Sequence, residues 1–411
     1  MTETERDIIN WLLNPDEPQV YAGLRLKEAE ERLAQFGLDK ILKEIELPLM
    51  PVLKDMHERG VGLDSNFLKN LRKRQSQQIE DLIKKIYQHT GEFNVNSPKQ
   101  MAAVLFDKLK IVPRLKSTAA GQLELIKDKH PVISLILNYR EIFKAQSTYV
   151  EPLLGLGEMA RTTFLQTGTA TGRLSSKNPN LQNVPDVIRP AFVARAGCVF
   201  VSFDYSQIEL RVLATAANDK KMIEAFQNDL DIHKLTASQV FNTPLEKVTL
   251  DMRQLAKTLN FGVVYGMGPS AFARASGLSR QEAEKFIAEY FNDFAQVRDW
   301  QEKVKNELRQ KGYVENLNGR KRWLPIEAER AAINMPIQSL AADIIKMAMI
   351  QTNKYRLLLS IHDELLFEIE DDKVKDVVDD IKNIMESIYR LSVPLKVNVK
   401  IGCNWGELKP L

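Results

Sequence analysis

VFVSFDYSQIELR, residues 199–211, opens with five residues of continuous β character, presents an acid at Asp204, and then turns into a helical pattern. An amphipathic helix is expected from about Gln207 to Ala217. A second stretch repeats the device. RLLLSI (356–361) and LLFEI (365–369) flank His362-Asp363-Glu364 and read as two strands joined by a tight turn. In both places a hydrophobic strand delivers an aspartate to its end, where a carboxylate is rigidly held yet within reach of solvent. Two such acids suit a pair of Mg²⁺ ions about 3.5–4 Å apart, a clamp on the attacking and leaving oxygens of phosphoryl transfer. Taken singly, an aspartate after a strand is as readily a turn former or a helix cap.

A helix predicted over 250–266 adds weight to the first reading. Arg253, Lys257, Phe261 and Tyr265 recur at every fourth position and lie along one slowly drifting stripe. At ~1.5 Å per residue the stripe is about 18 Å long, with two cations in its first half and two aromatics in its second. A nucleoside triphosphate has the same polarity. Cations would neutralise phosphate oxygens, and the rings would pack on sugar and base. The spacing alone also fits an ordinary amphipathic helix with core aromatics and surface charges.

Elsewhere the chain alternates helical and polar stretches without internal repeats. Residues 1–45 read as short amphipathic helices, and LKNLRKRQSQQIEDLIKKIYQ (68–88) as a long basic helix. Ser97-Pro98-Lys99-Gln100 is a helix start with a serine cap, proline at the first position and glutamine at the third. TTFLQTGTATGRLSSKNPNLQNVP (162–185) is polar and aperiodic, a loop or short strand of the sort that carries function. Residues 279–311 hold at least one helix, 313–324 a hairpin turning at Asn318-Gly319, and 327–350 another helix.

The bulk numbers exclude more than they specify. No apolar run approaches the roughly 20 residues of a membrane span, and the acidic start MTETERDIINWLL does not resemble a signal peptide. Cys198 and Cys403 form no CxxC pattern, and the dispersed histidines argue against a zinc site. Net charge is only +3, but residues 65–120 hold eleven Lys/Arg against four acids. That local positive field suits a polyanion bound on one side, or simply a solvated helix face.

DYSQIELR (204–211), RQLAKTLNFGVVYG (253–266) and HDE (362–364) resemble, in order, the three signature motifs of family A DNA polymerases. TGRLSSKNPNLQNVP (171–185) is similar to the family's primer-template segment and ERAAINMPIQ (329–338) to its template-side helix. FNVNSPKQMAAVLFDKL (93–109) and YREIFKAQSTYVEPL (139–153) are similar to its thumb. The resemblance runs from about residue 46 to the C-terminus. It implies that Asp204, Asp363 and the carbonyl of Tyr205 bind the metals. Arg253, Lys257, Phe261 and Tyr265 would form the nucleotide face, with Lys257 placed to protonate the leaving pyrophosphate. Glu209 would exclude a ribose 2′-OH, with His233 near the phosphates and Gln207 in the same nucleotide site. Arg173, Asn180, Gln182, Arg330, Asn334, Gln338 and His362 would line the primer-template duplex, where donors can read the nearly sequence-independent minor-groove acceptors.

The fold so implied is α+β, a right-hand polymerase fold with an antiparallel palm sheet, helical fingers and a helical thumb. Residues 1–45 would be the helical remnant of a 3′–5′ exonuclease-like domain, too short to supply proofreading. Residues 46–160 would form the thumb and the start of the palm, 161–219 the palm with Asp204, 220–325 the fingers, and 326–411 the palm with Asp363. The links between RKRWLP and ERAAIN and between DIIKMAM and LLLSIHDE are shorter than is usual for the family. The expected activity is template-directed addition of deoxynucleotides to a primer 3′-OH, releasing pyrophosphate, with two Mg²⁺ ions for which Mn²⁺ can substitute. The expected partners are primer-template DNA and deoxynucleoside triphosphates, with no membrane. The expected state is a cytoplasmic monomer, nucleoid-associated if bacterial, with a viral or organellar origin left open. Copying of RNA templates and a catalytically silent DNA-binding role are the alternatives at this point.

Overall fold

A five-stranded antiparallel sheet carries both aspartates. Its strand order is Lys409–Pro410, Val397–Gly402, Cys198–Tyr205, Glu364–Glu370, Leu357–Ile361. The computed structural model describes residues 3–112, 115 and 117–411. The apolar run at 199–203 is central in this sheet and buried from Phe200 to Phe203, as expected for a strand covered on both faces. Its register sets Asp204 opposite Glu364 on one side and Asn398 on the other.

The helix after Asp204 spans Ile208–Ala217. It is not amphipathic in place: every residue from Ile208 to Ala214 is buried, including Glu209 and Arg211. The cause is its position among the helices Lys220–Gln227, Leu250–Val264, Ala295–Lys311 and Glu329–Thr352, all of which pack on it. Arg211 tolerates burial because its guanidinium donates to the carbonyls of Ser206 and Pro394 and lies over the ring of Phe226.

Residues 279–311 form two helices, Arg280–Asp293 and Ala295–Lys311. They part at Phe294, whose backbone leaves the helical region (φ −111°, ψ 58°) while its ring is buried against Tyr290. The hairpin Tyr313–Glu315/Lys321–Trp323 turns as expected, with Gly319 at φ 93° and Asn316 Oδ1 accepting the N–H groups of Asn318 and Arg320.

The long helix Ser65–Thr90 starts on Asp64, whose carboxylate accepts from the Asn66 and Phe67 amides. It packs against Pro131–Ala145 over a separate apolar cluster. The nine described cations of the basic stretch are exposed, whereas Arg114 and Lys116 lie outside the described residues. Ser97 caps its helix by accepting from the Gln100 amide, but the Gln100 side chain reaches the Asn94 amide instead of closing a reciprocal box. At the N-terminus, Glu3–Leu13 and Leu26–Gln35 bury Trp11, Leu13 and Leu33 in a third cluster. Helical backbone runs without a break from Asp39 to Arg59, through the expected 45/46 boundary. Among the described residues no helix is long and apolar enough to cross a membrane.

Candidate active site

The turn between strands Leu357–Ile361 and Glu364–Glu370 is two residues, His362 at φ 53° and Asp363. The main-chain carbonyl of Asp363 accepts from the Tyr205 amide at 3.1 Å, which ties the turn to the end of the neighbouring strand. Asp204 and Asp363 therefore emerge at one end of two adjacent central strands. Burial, then the charges of Glu364 and Asp363, push the Asp204 carboxyl up to about 6, while Lys400 on the next strand works the other way. Burial also raises Asp363, opposed by Arg173. Asp363 Oδ1 is buried and, among the described residues, has no hydrogen-bond partner. Arg173 Nη2 comes within 4.0 Å of that oxygen, and two neighbouring acids with a buried oxygen left without a hydrogen bond suit a divalent cation. Among the described residues no three His, Cys, Asp or Glu side chains converge into a closed cage. An open pair of acids plus a main-chain carbonyl is what Mg²⁺ sharing its shell with water and phosphate requires. The Tyr205 hydroxyl donates to the Met385 carbonyl inside the core, so that residue offers the cavity its main chain.

Glu364 is a residue that the sequence reading quoted and gave no role. It sits directly across from Asp204, with Oε1 accepting from Ser202 Oγ at 2.6 Å. Its approach to Asp204 follows from the strand register, which the sequence alone does not supply.

A cavity of about 240 Å³ lies in front of the acids. It is lined by Asp204, Tyr205, Gln207, Ile208, Glu209 and Asp363 together with His233, Arg253, Lys257 and Phe261. The helix Leu250–Val264 supplies three of these, spaced as its periodicity predicts. Tyr265 is the residue after the last turn of that helix and does not line this cavity. Its hydroxyl donates to Glu209 Oε2 at 2.7 Å. Arg173 Nη2 donates to the other oxygen, Oε1, at 2.6 Å. Glu209 is thus nearly inaccessible and clamped on both sides. Burial raises its carboxyl, against the pull of Arg173 and the Tyr265 hydroxyl.

His233 is buried in the first turn of the helix Ile232–Val240. Burial, with Arg253 and Lys257 nearby, pushes its imidazole down to about 4, so it is neutral at pH 7. Its Nδ1 lies 3.0 Å from Nδ2 of Asn260, a buried residue of the neighbouring helix. Arg253 donates through Nε to Asp231 at 2.6 Å. Neither Asn260 nor Asp231 was singled out from the sequence, because each acts through a contact between helices.

The remaining residues form a second group. Arg173, Gln182 and His362 line one narrow crevice, where Gln182 Nε2 donates to the Ser360 carbonyl. Arg330, Asn334 and Gln338 lie four apart along one line of the largely buried helix Glu329–Thr352. Asn334 Oδ1 is buried and without a partner among the described residues. Asn180 stands apart from both cavities. Its Oδ1 accepts from the Gln182 amide and caps a short turn.

Paired aspartates at the end of the sheet thus share one cavity with a helix that contributes two cations and an aromatic ring, and comparison with known proteins places the chain in a family. Residues 65–407 match the model of DNA polymerase family A, and the chain belongs to that family. Two relatives illustrate the likeness. The thermostable DNA polymerase I of Thermus aquaticus is 42% identical over 418 residues, which cover 93% of this chain and 49% of that protein. DNA polymerase I of Chloroflexus aurantiacus is 41% identical over 429 residues, covering 94% and 46%. The chain thus spans about half the length of the curated relatives it matches. Among solved structures, the POL domain of Pol1 from M. smegmatis, in complex with a DNA primer-template and dNTP, superposes with a TM-score of 0.91. It is 33% identical, and the match covers 98% of this chain and 81% of that one. The fold is the α+β polymerase fold.

Proposed function

We propose that the chain is a template-directed DNA polymerase that adds deoxynucleotides to a primer 3′-OH and releases pyrophosphate. One observation carries the reading: a single cavity is lined both by the paired aspartates and by Arg253, Lys257 and Phe261. Asp204, Asp363 and the Tyr205 carbonyl would hold two divalent ions, Mg²⁺ or Mn²⁺. When bound, the ions supply a nucleophilic 3′-oxygen and charge neutralisation at the α-phosphate.

The protein's own groups then account for binding and selection. Arg253, Lys257 and the neutral His233 face the phosphates. Lys257, on the exposed side of its helix, is placed to give the leaving pyrophosphate a proton. Phe261 serves the base and sugar, Tyr265 backs the sugar position through its bond to Glu209, and Gln207 lines the cavity beside Asp204. Glu209, immobilised by Arg173 and Tyr265, fills the space a 2′-OH would need, and such a fixed carboxylate cannot swing aside for a ribonucleotide. The duplex would lie along Arg173, Asn180, Gln182 and His362 on one side and Arg330, Asn334 and Gln338 on the other. In this reading 46–160 is the thumb and start of the palm, 161–219 and 326–411 complete the palm, and 220–325 are the fingers. The exposed cations of Ser65–Thr90 support the thumb assignment as a grip on the phosphate backbone.

Templates that differ only in the next unpaired base provide the test. Each should direct addition of its own Watson–Crick partner, one residue at a time. Addition that ignores the template base would refute template direction.

A further inference from the structure

Arg253 enters the cavity already paired. Asp231 meets it from the neighbouring helix, and both oxygens of that carboxylate are committed. Oδ1 accepts the His233 and Lys234 amides and so caps the helix Ile232–Val240. Oδ2 accepts from Arg253 Nε at 2.6 Å. A carboxylate pinned by its own cap cannot follow the arginine about. Contact through Nε leaves both Nη atoms of Arg253, a residue that lines the cavity, without a hydrogen-bond partner among the described residues.

We propose that Asp231 is a positioning residue for nucleotide binding, holding Arg253 by Nε so that its two terminal nitrogens are pre-aimed at the triphosphate. The inference rests on the polymerase reading and extends it to a residue that does not touch substrate. The pair is about one-third exposed on both sides, and ion pairs at that exposure add little to stability. Its use is therefore orientation. A planar guanidinium fixed at one edge loses less freedom on gripping a phosphate through the other. Burial alone would raise the Asp231 carboxyl, yet the Arg253 hydrogen bond and the cap amides hold it below the ordinary range. It is thus charged whenever the site is in use.

Asp231→Asn separates the two jobs. Asparagine's Oδ1 can still cap the helix, but its amide nitrogen cannot accept from Arg253 Nε. The measurement is equilibrium binding of the templated deoxynucleotide to the protein on a dideoxy-terminated primer-template, so no chemistry is needed. Asp231→Asn should weaken binding about tenfold with an unchanged melting temperature, and kcat on an extendable primer should stay within about twofold. In an Arg253→Ala background the same change should cost nothing further. Unaltered binding by Asp231→Asn, or a loss that adds in full to Arg253→Ala, would overturn the proposal. Because the comparison is read on binding, a native protein that binds nucleotide without extending primers would sink the polymerase reading and still decide this one.

Discussion

Asp204 occupies the candidate site at a cost in stability. Its carboxyl is raised from 3.8 to about 6 because burial and two neighbouring acids disfavour its charge. A folded-state value above the unfolded one means that the group favours folding below about pH 4 and loses that contribution as pH rises through 6. At pH 8 without divalent ions, Asp204→Asn should therefore melt higher than the native protein, by up to about 2 kcal/mol once partial exposure is allowed for. A lower melting temperature would contradict this account of the pair. His233 has the opposite sign. Its folded value is pushed down to about 4, so its stabilisation is present above the ordinary imidazole value and fades as pH falls from about 6.5 to 4. Calorimetry should show a slope in that window that shrinks in His233→Gln. At this scale Asp204 and Asp363 were legible because each ends an apolar run. Glu364, Asp231 and Asn260 were not, because their roles depend on a strand register and on helix contacts that no local pattern encodes.

The stripe Arg253/Lys257/Phe261 illustrates what periodicity can and cannot tell. Four-residue spacing brought three side chains to one cavity, but the helix ends before Tyr265, which turns instead to Glu209. The helix Ile208–Ala217 shows the converse, since an apparently amphipathic pattern is buried all round where four elements converge on it. The polar segment 162–185, unreadable by periodicity, is fixed by tertiary bonds. Trp11 Nε1 donates to the Thr169 carbonyl, and Thr169 Oγ1 to the Arg173 carbonyl. Gly172 sits at φ 84° with the Arg320 guanidinium 3.3 Å from where a Cβ would be. Because Arg320 is anchored and cannot give way, Gly172→Ala should cost at least about 1–2 kcal/mol. It should also loosen the Arg173 clamp on Glu209, read as weaker discrimination against ribonucleotides in primer extension. Full discrimination in a destabilised variant would show that the clamp does not depend on this loop.

Across the whole molecule, one buried cluster joins segments some 300 residues apart in sequence. Glu46 binds Lys346 at 2.7 Å, Gln166 at 2.7 Å and Arg320, and Arg320 binds Asp343 at 2.6 Å. Two cations and two acids balance, and both cations lie 5.3 Å from the ring of Trp11. Burial would raise the Glu46 carboxyl, but Lys346 and Arg320 outweigh it and hold it well below the usual range. The N-terminal helices are thus tied through Trp11 to the 162–185 segment, to Arg320 and to the helix Glu329–Thr352, which their amphipathic pattern did not foretell. Glu46→Gln leaves two cations facing one acid in the interior and should cost about 3–5 kcal/mol, measured by denaturant unfolding. A loss below about 1 kcal/mol would mean the cluster is solvated. The overall architecture was readable in advance because its motifs are short and ordered. The bonds that knit the parts together join residues far apart in sequence, where no local pattern reaches.

The central claim is that Asp204 and Asp363 perform nucleotidyl transfer in the cavity they share with Arg253 and Lys257. Primer extension on a DNA template with Mg²⁺ and deoxynucleotides, run beside primer-template binding for the native protein, Asp204→Ala and Asp363→Ala, tests it most directly. The account predicts that all three bind the duplex comparably and that the native protein alone extends it. Extension by either alanine variant at the native rate, or a native protein that binds and never extends, would contradict it.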